Sequence, residues 1–322
     1  MSVDRRSVWP YLDGEPGEFL YSRYAHPTGV EAERKLAALE GAPDGQALLF
    51  SSGSAATFAL LLALLEPGKS VALAEGCYFG TGVMMREELG RWGLETVEFD
   101  QTGPPPDDVD LVWLEAPSNP FLTMPDLEAA ARHPARVVVD STAATPVYLR
   151  PLDFGADFVL HSATKYLTGH SDALAGAVVS RDAADHQRLW QFRQRTGPAC
   201  AADVAALVTR GLKTLRVRIE RQTETTAVLA ERLGTHPAVA NVRYPGFGGL
   251  LSFDVAGDPL PVERALRLIK NATSLGGVES TMESRHRWEG DRVPVGLLRL
   301  SVGLEDADEL WADLEQALAA TI

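Results

Sequence analysis

The chain reads as an α/β protein, with a larger N-terminal α/β domain followed by a smaller one, and three observations predict this. Short apolar runs alternate with helical stretches over most of its 322 residues, the pattern of a mostly parallel sheet covered by helices. The runs Arg136 to Asp140 and Asp157 to His161, and with them Ala175 to Ser180, break into polar residues at their C-terminal ends, where open α/β sheets place ligands. Beyond about residue 212 the order changes to strand, strand, helix, strand, helix, which describes a second α/β unit. The length supports about two domains. The expected partition is an arm over 1–20, a large domain over 21–211 and a small domain over 212–322.

Residues 1–20 contain Pro10, Gly14, Pro16 and Gly17 and are too interrupted for a regular element. Tyr21 and Arg23 precede a helix from about Val30 to Glu40. A strand at Ala47 to Phe50 then runs into SSGSAAT and an apolar helix, so Gly53 and Ser54 stand where a helix N-terminus offers free N–H groups to an anion. Ordinary capping by Ser51 or Ser52 is the plainer reading of the same turn. The strand Ser70 to Ala74 leads to Tyr78, and a strand near Leu94 to Phe99 is followed by the Pro-rich TGPPPDD. The strand Leu111 to Glu115 ends in APSNP, placing Asn119 in a turn stiffened by Pro117 and Pro120. A helix over Leu127 to Arg132 follows.

Next comes the run around which the chain is organised, with Asp140 and Thr142 at one strand end and Ser162, Thr164 and Lys165 in SATK at the next. A lone lysine there would be read as a solvated charge, and Asp140 as a helix cap. Together they supply an amine nucleophile, hydroxyl donors for a phosphate and a carboxylate suited to a pyridinium nitrogen, the parts that pyridoxal 5′-phosphate requires. Downstream the chain is helical to about Leu233, interrupted at Thr196 to Cys200. The second unit then reads as strands Val239 to Tyr244 and Leu250 to Val255, a helix Val262 to Lys270, a strand Leu297 to Val302 and a helix Asp306 to Ala319. Arg299 lies inside an apolar strand, a costly position unless its charge is paired.

The formal charge of −14 argues against a nucleic-acid partner, and the basic residues between Arg210 and Arg221 are spread through a helical pattern. No apolar run reaches membrane-spanning length and the first residues lack a hydrophobic signal core, so a cytoplasmic protein without a membrane partner is expected. Cys77 and Cys200 have no spacing for a disulfide framework or a metal site. Gly68-Lys69-Ser70 lacks the first glycine of a nucleotide loop, Ala63 standing in its place.

The stretches DST, HSATKYLTGHSD and GAVV, together with further motifs from about Tyr21 to about Ala319, resemble the Cys/Met-metabolism family of pyridoxal-phosphate enzymes: cystathionine γ-synthases, cystathionine γ- and β-lyases and methionine γ-lyases. The resemblance implies pyridoxal-phosphate transferase fold type I, with a mostly parallel seven-stranded sheet, and pyridoxal 5′-phosphate as cofactor. It implies catalytic roles for Lys165, Tyr78 and Asp140. It places Gly53, Ser54, Tyr78, Asn119, Asp140, Thr142, Ser162, Thr164 and Lys165 around the cofactor, and Asn119, Ser274 and Arg299 around the α-carboxylate of a small amino-acid substrate. Tyr21 and Arg23 are implied to reach the cofactor phosphate of a neighbouring subunit, hence a homodimer or homotetramer. The implied reaction is γ-elimination or γ-replacement on cystathionine- or homoserine-type sulfur amino acids. The alternatives are β-elimination, methionine γ-elimination, sulfhydrylation of an O-acylhomoserine, or a cofactor-binding protein of weak activity that serves a partner. Departures from the family pattern bear on specificity. Thr273 stands where many γ-synthases and γ-lyases carry a glutamate, Gly80 where methionine γ-lyases have a cysteine, and TMESRHRWEGDRVPV replaces an HPA-containing loop.

Overall fold

The computed structural model describes residues 3–42 and 46–319. The first layer runs α1 (Pro27–Glu40), β1 (Ala47–Phe50), α2 (Gly53–Leu64), β2 (Ser70–Ala74), α3 (Phe79–Val83), a π-helical turn (Met84–Glu88), α4 (Leu89–Trp92), β3 (Glu95–Phe99), β4 (Leu111–Glu115), α5 (Leu127–Ala131), β5 (Arg136–Asp140), α6 (Thr145–Tyr148), β6 (Phe158–His161) and β7 (Gly176–Ser180). Three helices follow, α7 (Ala183–Thr196), α8 (Ala202–Leu212) and α9 (Leu215–Gly234). The second unit consists of β8 (Val239–Arg243), β9 (Leu250–Val255), α10 (Leu260–Ala265), β10 (Lys270–Asn271), β11 (Thr281–Ser284), α11 (His286–Glu289), β12 (Leu297–Ser301) and α12 (Ala307–Leu318).

The large sheet has seven strands in the order β1-β7-β6-β5-β4-β2-β3. Its strands pair in parallel from β6 across to β3, while β7 runs against both neighbours, β1 and β6. The polar C-terminal ends of β4, β5 and β6 therefore share one edge with the beginning of β7, not with its end. The expectation that Ala175 to Ser180 offers its C-terminal end to a ligand is corrected accordingly. Val137, Val138 and Val139 are buried, as a central strand covered on both faces requires. The apolar helix α2 is covered by the sheet and α7, and Ser52 caps it by accepting the Ala55 N–H at 3.0 Å. At α1 the cap is His26, whose Nδ1 accepts the Gly29 N–H at 3.0 Å while Nε2 meets the Cys200 carbonyl at 3.1 Å.

The five-stranded second sheet has the order β10-β11-β12-β9-β8. Leu229 and Leu233 of α9, Val262 of α10, and Leu310 and Leu314 of α12 bury its apolar face. Two expectations fail here. The helix expected to reach Lys270 ends at Ala265, because the Asp313 carboxylate accepts the N–H groups of Arg267, Leu268 and Ile269 at 2.9, 2.9 and 2.8 Å and holds that backbone outside a helix. The segment Thr281–Ser284, read as part of a loop, is a strand paired antiparallel to β12. Among the described residues no helix is long and apolar enough to cross a membrane.

Candidate active site

A cavity of about 530 Å³ opens between the two sheets at the strand ends. One wall comes from the turn into α2. Gly53 and Ser54 begin that helix, so their N–H groups have no acceptor within it. Gly53 also permits a close approach, since a Cβ there would stand 2.9 Å from Ser162 Cβ. Gly176 does the same for the start of β7, where a Cβ would overlap the Ser52 carbonyl at 2.1 Å.

The floor carries the acids. Asp140 ends β5, directly beside Glu115 at the end of β4. Thr142 organises the end of β5: its N–H reaches Asp140 Oδ1 at 3.0 Å, its hydroxyl donates to the same oxygen, and it accepts the Ser162 N–H at 2.8 Å. Burial pushes both carboxyls up, Glu115 strongly and with a further contribution from Asp140, while the bonds from Thr142 hold Asp140 down. Glu115 accepts the backbone N–H of Tyr78, whose ring lines the cavity and is 39 % exposed.

Lys165 lies in the turn after β6 and donates from Nζ to Ser274 Oγ at 2.5 Å. Burial, reinforced by Arg299, lowers its ammonium to about 8. Ser274 itself takes a positive φ of 90°, and Gly276 just after it leaves room for the Lys165–Tyr166 backbone, where a Cβ would come within 2.7 Å of Tyr166 N. On the opposite wall Arg299 of β12 donates from Nη1 to Asn119 Oδ1 at 2.9 Å and from Nη2 to the Ser274 carbonyl at 3.0 Å and Glu283 at 2.5 Å. Its Nε is buried without a partner. Burial lowers this guanidinium to about 10, so it stays charged near neutrality.

The structure thus gathers Gly53, Ser54, Tyr78, Asn119, Asp140, Thr142, Ser162, Thr164, Lys165, Ser274 and Arg299 around one cavity. Thr164 differs from expectation, because its hydroxyl is spent on Ala175, donating to the carbonyl at 3.1 Å and accepting the N–H at 3.0 Å. Tyr21 and Arg23 stand elsewhere. The Arg23 guanidinium lies over the Tyr21 and Tyr24 rings, at 5.2 Å from each, and donates to the Gln194 carbonyl. Glu115, Glu283, Arg285 and Trp288 were not foreseen. Only Glu115 had a signal of its own, as an acid that ends an apolar strand.

The donor set fits pyridoxal 5′-phosphate: an amine with a lowered pKa, a buried carboxylate, helix N–H groups for a phosphate and an aromatic ring on the cavity wall. Among the described residues no group of three or more His, Cys, Asp or Glu could hold a metal ion.

Comparison with known proteins agrees. A family model described as Cys/Met metabolism PLP-dependent enzyme matches residues 4–319. A putative cystathionine gamma-lyase of Streptomyces coelicolor is 39% identical, the match covering 97% of this chain and 86% of that protein. The L-methionine gamma-lyase of Pseudomonas putida is 36% identical over 96% of this chain and 87% of its own. The crystal structure of metB from Corynebacterium glutamicum superposes with a TM-score of 0.96 at 35% identity, covering 100% of this chain and 93% of that one.

Proposed function

Because the chain belongs to the Cys/Met metabolism family of PLP-dependent enzymes, we propose that it cleaves or exchanges the carbon–sulfur bond at Cγ of a small L-amino acid of the cystathionine type. The observation that carries this reading is the 2.5 Å contact between Lys165 Nζ and Ser274 Oγ, which sets the reactive amine against the wall that holds Arg299. Lys165 would hold the cofactor's aldehyde carbon, Asp140 its ring nitrogen, Asn119 its phenolic oxygen, and Gly53, Ser54 and Ser162 its phosphate. Tyr78 would lie over its ring. When bound, the cofactor supplies an electron sink that acidifies the hydrogens on substrate Cα and Cβ.

The protein's own groups do the rest. Arg299 and Asn119 take the α-carboxylate and orient the Cα–H bond toward Lys165. Lys165 Nζ removes and returns protons, for which a pKa of about 8 suits it near neutral pH. Tyr78 stands at the cavity wall where it can protonate a departing thiolate. The partition into 1–20, 21–211 and 212–322 belongs to the same reading and is supported by the two separate sheets. We also propose that subunits pair and that Tyr21 and Arg23 of the partner subunit complete the phosphate site, which is consistent with their position away from this chain's own cavity.

The test is a product assay with L-cystathionine and the cofactor-loaded protein. Water consumed with release of 2-oxobutyrate, ammonia and cysteine is the expected outcome. Pyruvate with homocysteine would assign β-elimination instead. L-Methionine is the second substrate to try, because Phe79, Met84, Leu174 and Trp288 make the remaining wall apolar and Thr273 offers no carboxylate to a distal amino group.

A further inference from the structure

Arg299 is not alone on its wall. Glu283 faces it directly across the β11–β12 pair, and Glu283 Oε1 accepts both Arg299 Nη2 at 2.5 Å and Arg285 Nη1 at 2.8 Å. Trp288 Nε1 donates to the other Glu283 oxygen at 3.0 Å. Arg285 is held in turn by Glu289, which accepts its Nε at 2.9 Å, and its guanidinium lies 5.6 Å from the Phe79 ring centroid. The Arg285, Glu283 and Arg299 side chains are each 3% exposed.

A buried carboxylate beside the arginine that is to receive a substrate carboxylate poses a problem. Taken as a pair, Glu283 and Arg299 carry no net charge, and in a buried setting Glu283 would repel the incoming anion. A second guanidinium on the same oxygen changes that balance. Arg299 Nε, buried and unpartnered, remains as the donor for the substrate.

We propose that Arg285 is a positioning residue for substrate recognition: by sharing Glu283 it offsets that carboxylate's negative charge and keeps Arg299 turned toward the substrate α-carboxylate. This rests on the reading of Arg299 as the carboxylate site.

The test titrates the cofactor-loaded protein with butanoate, a carboxylate without an amino group, by calorimetry, and so reads binding without turnover. Arg285→Met weakens butanoate binding by about tenfold, and adding Glu283→Gln to that variant restores it to within about threefold, because the repelling charge is then gone. The KM for L-cystathionine follows the same pattern, with kcat changing less. Where Arg285→Met does not fold, Arg285→Gln is predicted to weaken binding in the same direction. Parental affinity in the Arg285 variants, or a double variant as weak as the single one, would overturn the proposal, since a purely structural tie to Glu289 predicts no rescue. Arg299→Met separates the two readings: it is expected to lose butanoate binding, and if it does not, the assignment of Arg299 fails and the role of Arg285 with it.

Discussion

Lys165 is where burial does chemical work. Its ordinary pKa of 10.5 falls to about 8 because the ammonium loses solvent and faces Arg299, against a smaller opposing pull from Glu283 and with a lesser contribution from Arg285. The neutral amine is the nucleophile, so at pH 7 about a tenth of the molecules are reactive, where a solvated lysine would present fewer than about one in a thousand. Capture of pyridoxal phosphate by the cofactor-free protein is therefore expected to accelerate about tenfold per pH unit and level off near pH 8. Absorbance-detected mixing across that range checks it, and a rate still climbing at pH 10 would show that the amine is not depressed. The same shift has a thermodynamic sign. Between about 8 and 10.5 the unfolded chain holds the proton that the folded chain has released, so this group's contribution to stability rises with pH through that window.

At the scale of elements, the large sheet protects its edge at β1 with two side chains. Glu33 of α1 accepts the Leu49 N–H at 2.9 Å, Arg193 of α7 donates to the Leu49 carbonyl at 2.7 Å, and the two bond each other at 2.6 Å. At Leu49 the open side of this edge strand is thereby satisfied by side chains. Both groups are buried, so Arg193→Met strands Glu33 and is expected to cost about 3–5 kcal/mol in urea unfolding, with Glu33→Gln/Arg193→Met recovering part of it. A loss under about 1 kcal/mol would mean that water reaches the pair. This staple also shows what a linear reading misses. β1, β2, β4, β5 and β9 were legible to the residue because apolar runs end there in polar ones. Likewise Lys165, Asp140 and Arg299 declared themselves by chemistry at strand ends or by charge inside a strand. β11 did not, because a short strand with a glutamate in it reads as a loop until Arg285, two residues on, and Arg299 of the neighbouring strand neutralise that glutamate. Nor did the end of α10, whose backbone is held by Asp313 from a helix more than forty residues away.

At the scale of the molecule, the cavity belongs to both sheets. Arg292 of the second unit and Arg86 of the first share Glu98, which ties the segment carrying Arg285 and Trp288 to β3. Among the described residues, none of 3–23 lines the cavity. Arg23 points to its aromatic neighbours and to Gln194 and does not line the cavity with Gly53, Ser54 and Ser162. If the phosphate is completed by Arg23 of the partner subunit, two inactive chains should repair each other. Lys165→Ala lacks the amine but carries an intact Arg23, and Arg23→Ala carries the amine but gives its partner no arginine. Co-refolded one to one, half of the pairs are mixed, and each mixed pair has one site with both groups, so about a quarter of sites should regain parental turnover. Separately refolded and then mixed without exchange, the same chains should stay at their individual levels. A mixture no more active than the mean of its components would place Arg23 in its own chain's structure and leave each cavity to close by itself.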